Sequence, residues 1–130
     1  MWFDINHDSK NPIFEQIVSQ VIFNIASGGL RVGDLIPSVR DLAVKLSVHP
    51  NTVAKAFAIL ESIGVVAARR GRGMEVTPDA PKLCQVQRRE RVGKRIREAL
   101  REAISSGLTA EDVRRLVEDE IGRSLGKRRE

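Results

Sequence analysis

The alternation of apolar and polar positions starts weakly, with "WFDI" predicting a short extended segment at the head of the chain. The next stretch, "NPIFEQIVSQVIFNIASGG", is much clearer. Phe14, Ile17, Val18, Val21, Ile22 and Ile25 recur at helical spacing and make one apolar face, with Asn11 as cap, Pro12 at the first helical position and Gly28-Gly29 as the stop. "LRVGDLIP" reads as a connector, turned by Gly33-Asp34 and held extended before Pro37. In "SVRDLAVKL", Ser38 and Asp41 have the S-x-x-D spacing of a capping box, and Val39, Leu42, Ala43 and Leu46 face inward. That leaves Arg40 and Lys45 outside. A helix this short needs partners to persist.

After a three-residue break, Ser47 to His49, the stretch "PNTVAKAFAILESI" predicts a helix from Pro50 to Ile63, ended by Gly64. Proline lacks an N–H, so it is tolerated in a first turn, where such donors are orphaned anyway. With successive residues about 100° apart, Val53, Ala56, Phe57, Leu60 and Ile63 share the inner side. Asn51, Lys55, Ala58 and Ser62 lie opposite, with Ala54 on the flank. A solvated face normally carries bulky ion-pair formers. This one is lean enough to approach another surface closely.

"VVAAR" then reads as a strand, "RGRG" as a turn and "MEV" as the antiparallel return, which puts Arg70 and Arg72 among glycines at the tip of a hairpin. "TPDAP" breaks the pattern and marks a boundary. Beyond it, Val92, Ile96, Leu100, Ala103 and Ile104 share a helix face that ends at Ser106-Gly107. Thr109 and Asp112 open a second helix with Val113, Leu116, Val117, Ile121 and Leu125 on one side. Such an αα-hairpin has too little apolar surface to stand alone, and an exposed stripe of that extent predicts a partner.

Charge sharpens the picture once it is located. The net +5 resides after residue 80, yet from Ser38 to Gly73 six basic residues (Arg40, Lys45, Lys55, Arg69, Arg70, Arg72) face only two acidic ones, Asp41 and Glu61. A local excess of that kind draws a polyanion. Aromatic side chains are too few, with no Tyr, to form the stacking platforms of a single-strand binder. Two short helices joined by a tight turn, followed by a basic glycine-rich hairpin, make a winged helix-turn-helix. The reading helix would enter a major groove about 12 Å wide and the wing would lie against the backbone or minor groove. The expected fold class is therefore mainly α with a small β-hairpin, divided into a winged helix-turn-helix DNA-binding domain over residues 1–77 and a two-helix tail over 78–130 that needs a partner.

The segment "GDLIPSVRDLAVKLSVHPNTVAKAFAILESIGVVAARRGRGMEV" resembles the DNA-binding domain of the GntR family of bacterial transcription regulators, and "PIFEQI" extends the likeness over residues 11–77. The short tail and "HPNTVAKAF" are similar to the YtrA subfamily. The resemblance implies a homodimeric repressor paired through its C-terminal helices on inverted-repeat operators in duplex DNA. Carried over position by position, it places Ser38 and Arg40 of the first helix of the motif, Asn51, Thr52 and Lys55 of the reading helix, and Arg70, Gly71 and Arg72 of the wing against DNA. His49 is counted with them, although its role stays open between helix cap, phosphate donor and neither. Many relatives have Ser-Arg where this chain has His49-Pro50, so the base contact of that arginine is absent.

Bland alternatives stand beside these roles: a surface ion pair for Arg40, capping for Asn51, a backbone-bonded hydroxyl for Thr52, solvated turn residues for Arg70 and Arg72. No catalytic constellation, phosphate loop or metal-ligand spacing can be read, so neither an enzyme nor a cofactor is expected. His7 and Asp8 lack a second ligand cluster, and Cys84, the single cysteine, reads as an ordinary thiol near the boundary. With no basic leader and no long apolar run, neither export nor a membrane span is expected, and cytoplasm is the default. The rival from another class is a winged-helix module meeting an acidic protein. A small-molecule effector held between the tail helices is compatible with the repressor, though no convergent polar pocket shows in the sequence.

Overall fold

The structure, a computed structural model, describes residues 3–129. Its elements in chain order are α1 (Ile13–Ser27), β1 (Leu35–Ile36), α2 (Val39–Leu46), α3 (Pro50–Ile63), β2 (Val66–Arg69), β3 (Gly73–Val76), α4 (Ala80–Ser105) and α5 (Ala110–Arg129). This is the mainly helical winged helix-turn-helix with two C-terminal helices that the pattern predicts.

The core belongs to the first of two compact units, which divide between Arg91 and Val92. Ile17, Val18, Val21, Ile22 and Ile25 of α1 are buried with Leu42 and Ala43 of α2 and Val53, Ala56, Phe57 and Leu60 of α3. Both α1 and α2 pack against α3, so the third helix is held from behind by apolar contact on two sides. Ala80 and Cys84 also lie in this core, past the wing. Pro81 does not stop α4 because it falls in the first turn.

Three local points bear on the expected elements. Helix α1 begins one residue later than expected: Pro12 occupies the cap position without a side-chain bond, and the carbonyl of Asn11 accepts from Gln16 Nε2 at 2.8 Å. The head of the chain joins no sheet over Phe3–Asn6, and Trp2 lies outside the described residues. It is held to α1 by side-chain amides that imitate a ladder. Gln20 exchanges two hydrogen bonds with the Asp4 backbone (2.9 and 2.7 Å), and Gln16 does the same with Asn6 (2.8 and 2.9 Å). Third, part of the connector before Pro37 is recruited as β1, so the hairpin becomes a three-stranded antiparallel sheet of order β1-β3-β2. Leu35 pairs with Glu75, and Ile36 with Met74.

The turn between α2 and α3 is closed by Ser47, the sole non-glycine residue with positive φ (55°) among the described residues. The following N–H, from Val48, donates to Ala43 O at 3.0 Å, as in a Schellman stop. At the far end of α3, Gly64 adopts φ 94°, a left-handed cap that suits a residue without Cβ.

The second unit contains the rest of α4 and all of α5. Thr109 and Asp112 form a reciprocal box at the head of α5. The Thr109 N–H donates to Asp112 Oδ2 and the Asp112 N–H to Thr109 Oγ1, each at 3.1 Å. Among the described residues of this unit no side chain is fully buried.

Candidate nucleic-acid interface

Helix α3 is two-sided in the way its pattern requires. Asn51, Ala54, Lys55, Ala58 and Ser62 are exposed, opposite the buried Val53, Ala56, Phe57 and Leu60. The outer face is slim, and part of its polarity is already engaged: Ser62 Oγ donates to Ile59 O at 2.7 Å. Thr52 is half-buried at the base of the first turn. Lys55, one turn beyond Asn51, places its ammonium 4.0 Å from the centre of the Phe14 ring on α1. The ring face carries negative charge, so a Lys cation rests on it favourably by about 0.5–1 kcal/mol at an exposed site.

His49 is the cap of α3, its Nδ1 accepting from the Asn51 N–H at 3.0 Å. Ser38 does the same for α2, its Oγ accepting from the Asp41 N–H at 3.1 Å. Arg40, in the first turn of α2, is exposed. At the wing, Arg69 and Glu75 pair across the strands (Nε to Oε2, 2.6 Å), which removes one cation from the free set. The turn closes through the Arg72 N–H donating to Arg69 O at 2.9 Å. Gly71 sits at φ 76° in open space, flanked by exposed Arg70 and Arg72. Among the described residues, Arg40, Arg70 and Arg72 have no ion-pair partner.

The nine expected residues thus fall into three groups. His49, Asn51, Thr52 and Lys55 occupy the N-terminal half of α3 and the residue before it; Ser38 and Arg40 occupy the start of α2; Arg70, Gly71 and Arg72 form the wing tip. Sequence reasoning missed Phe14, placed with the core face yet half-buried and serving as the seat of Lys55. It also missed Glu75 as the partner that fixes Arg69. Phe14 and Lys55 are distant in the chain and carry no periodic signal of their contact, while the Arg69–Glu75 pair depends on the strand register across the hairpin.

No group of three or more His, Cys, Asp or Glu that could hold a metal occurs among the described residues, and no helix is long and apolar enough to cross a membrane.

Comparison with known proteins agrees with this geometry. Residues 13–76 match the model of the bacterial regulatory proteins, gntR family. The HTH-type transcriptional repressor YtrA of Bacillus subtilis is 41% identical over 76 residues, 58% of this chain and 58% of its own. The match spans about three fifths of the length of YtrA and of two other curated relatives, and far less of several larger ones. Among solved structures, a GntR family transcriptional regulator from Listeria monocytogenes superposes with a TM-score of 0.66 at 33% identity, over 86% of this chain and 97% of that one. YtrA from Sulfolobus acidocaldarius, a GntR-family transcription factor, gives 0.58 at 35% identity over 75% and 96%.

Proposed function

The chain belongs to the GntR family of bacterial regulatory proteins, in its YtrA-like subfamily, and from that premise we propose that it is a sequence-specific duplex-DNA-binding repressor acting as a homodimer in the cytoplasm. The observation that carries the reading is the lean exposed side of α3, flanked by cations that have no acidic partner. A lean face with unpaired cations beside it lets the helix sit close to the base edges of a major groove about 12 Å wide.

In this reading Asn51 and Thr52 meet base edges, while Ser38, Arg40, His49, Lys55, Arg70 and Arg72 hold phosphates and set the register. Gly71 lets the wing backbone approach the duplex closely. Residues 1–77 supply the reading surface and 78–130 the pairing surface, whose apolar side chains from Val92 to Leu125 stand exposed in a single chain. Two reading helices would then enter successive major grooves about 34 Å apart, which requires an inverted repeat. Occupying such a site excludes polymerase. The relatives are transcription regulators, and nothing in the site suggests catalysis.

Selection of bound fragments from genomic DNA tests the proposal directly. It should return a palindromic consensus whose binding weakens steeply with salt, because phosphate-bound cations release counterions. Asn51→Ala should lose about 1–3 kcal/mol and relax discrimination at one base position. A flat salt response, or equal affinity for every duplex, would refute it, the latter pointing to an acidic protein partner for the same surface.

A further inference from the structure

His49 occupies an unusual place among helix caps. Residue Pro50 has no N–H; the Asn51 N–H is taken by His49 Nδ1 at 3.0 Å, and the Thr52 N–H by His49 O at 3.0 Å. The first turn of α3 therefore offers no free amide hydrogen from its first three residues. A helix start commonly grips phosphate with such hydrogens. Here those three residues cannot, and the cap side chain lies beside them.

The same bond fixes the chemistry of that side chain. A ring nitrogen that accepts a hydrogen bond carries no proton, so neutral His49 has its hydrogen on Nε2. The two nitrogens diverge across the ring, which aims the Nε2–H away from the helix being capped. His49 is exposed, and among the described residues its Nε2 has no partner. Serine or threonine would cap equally well but would offer no rigid second arm.

We propose that His49 is a positioning residue that works from both edges of its ring: Nδ1 holds the Asn51 amide while Nε2–H donates to a phosphate oxygen of the duplex. The proposal rests on the DNA-binding reading and adds a register device to it. One planar ring then ties the backbone of a base-reading residue to the DNA backbone, so Asn51 is presented at a fixed height above the groove.

The test uses the full chain and a duplex enriched from a random-sequence library by the wild-type protein. His49→Ser keeps an acceptor for the Asn51 N–H and has no donor that reaches where the ring Nε2–H points. It should melt with the wild type yet bind that duplex about three- to tenfold more weakly, the loss expected for one hydrogen bond. Replacing phosphates one at a time by uncharged methylphosphonate should weaken the wild type at one position per half-site to which His49→Ser is indifferent. Nitrogen-15 spectra of the neutral imidazoles should show the Nε2–H tautomer. The chain has only two histidines, so the signal missing from His49→Ser identifies His49. An Nδ1–H tautomer, or a variant that binds as tightly as the wild type, would overturn the assignment while leaving DNA binding intact. If no duplex is enriched at all, the DNA-binding reading fails and the phosphate contact goes with it.

Discussion

Cys84 shows what sequence pattern leaves open at a single residue. It follows a proline-rich break and reads as an ordinary thiol, but it is fully buried in the core of the first unit. Its burial is legible only once the first turns of α4 are known to join that core, a tertiary fact that no local spacing encodes. Desolvation pushes its thiol up from 9.0 to about 11. The native thiol should thus resist alkylation at mildly alkaline pH and react on unfolding. Because the folded value is the higher one, the unfolded chain ionises first. The contribution to stability is whole below pH 9.0 and is lost as pH rises toward about 11. Melting curves across that window should fall more steeply for the wild type than for Cys84→Ala. Parallel curves would mean that the thiol is hydrated in the folded protein. Lys55 teaches the complementary lesson: its outward direction was readable from helical phase, whereas its seat on Phe14 was not.

The elements themselves were the most legible feature, wherever apolar period and end signals agree. Helix α3 starts at Pro50 and ends at Ile63 as read, because the proline, the apolar stripe and Gly64 all point the same way. Strand β1 was invisible: two residues have no period, and they become a strand only because β3 offers an open edge. At the head of α1 the pattern puts Asn11 at the cap, whereas Pro12 takes that place and the Asn11 carbonyl is engaged by the Gln16 side chain, a contact that no local signal encodes. The capping box of α5 was read from T-x-x-D and forms in full, with an electrostatic consequence. First the Thr109 N–H and then the Thr109 side chain hold the Asp112 carboxyl below its ordinary value of 3.8. A depressed folded value means stability present above 3.8 and lost as pH falls through the folded one. Acid titration followed by circular dichroism should show the wild type losing helix on that descent. Asp112→Asn should lack the carboxylate's increment at neutral pH and lose less helix than the wild type over the same range. Identical titrations would show that the box contributes nothing to α5.

At the scale of the molecule the two units have opposite characters, and that contrast decides how the chain should behave when cut. The first unit has a contiguous apolar core that includes Ala80 and Cys84 and is tied by Arg91, whose guanidinium pairs with Glu15 at 2.9 Å. The second contains no fully buried residue among those described and has eight large apolar side chains exposed, among them Ile96, Ile104 and Leu116. An amphipathic pattern reveals such a stripe, but it cannot say which surface covers it, since cover comes from another element or another chain. If a second copy covers the stripe, association and folding of the tail are linked, and the melting temperature should rise with protein concentration. A fragment ending at Arg91 should fold cooperatively as a monomer, its melting independent of concentration. It should bind an inverted repeat about 10²–10⁴-fold more weakly, because the two reading helices are no longer held together. A fragment ending at Thr77 loses Ala80, Cys84 and the Arg91 pair, and should be less stable than the longer one by several kcal/mol, since each buried side chain removed costs about 1–3 kcal/mol. Sedimentation and melting of the three chains separate these outcomes. A full-length protein that stays monomeric at every concentration, yet binds as tightly as expected for a dimer, would remove the tail from the mechanism.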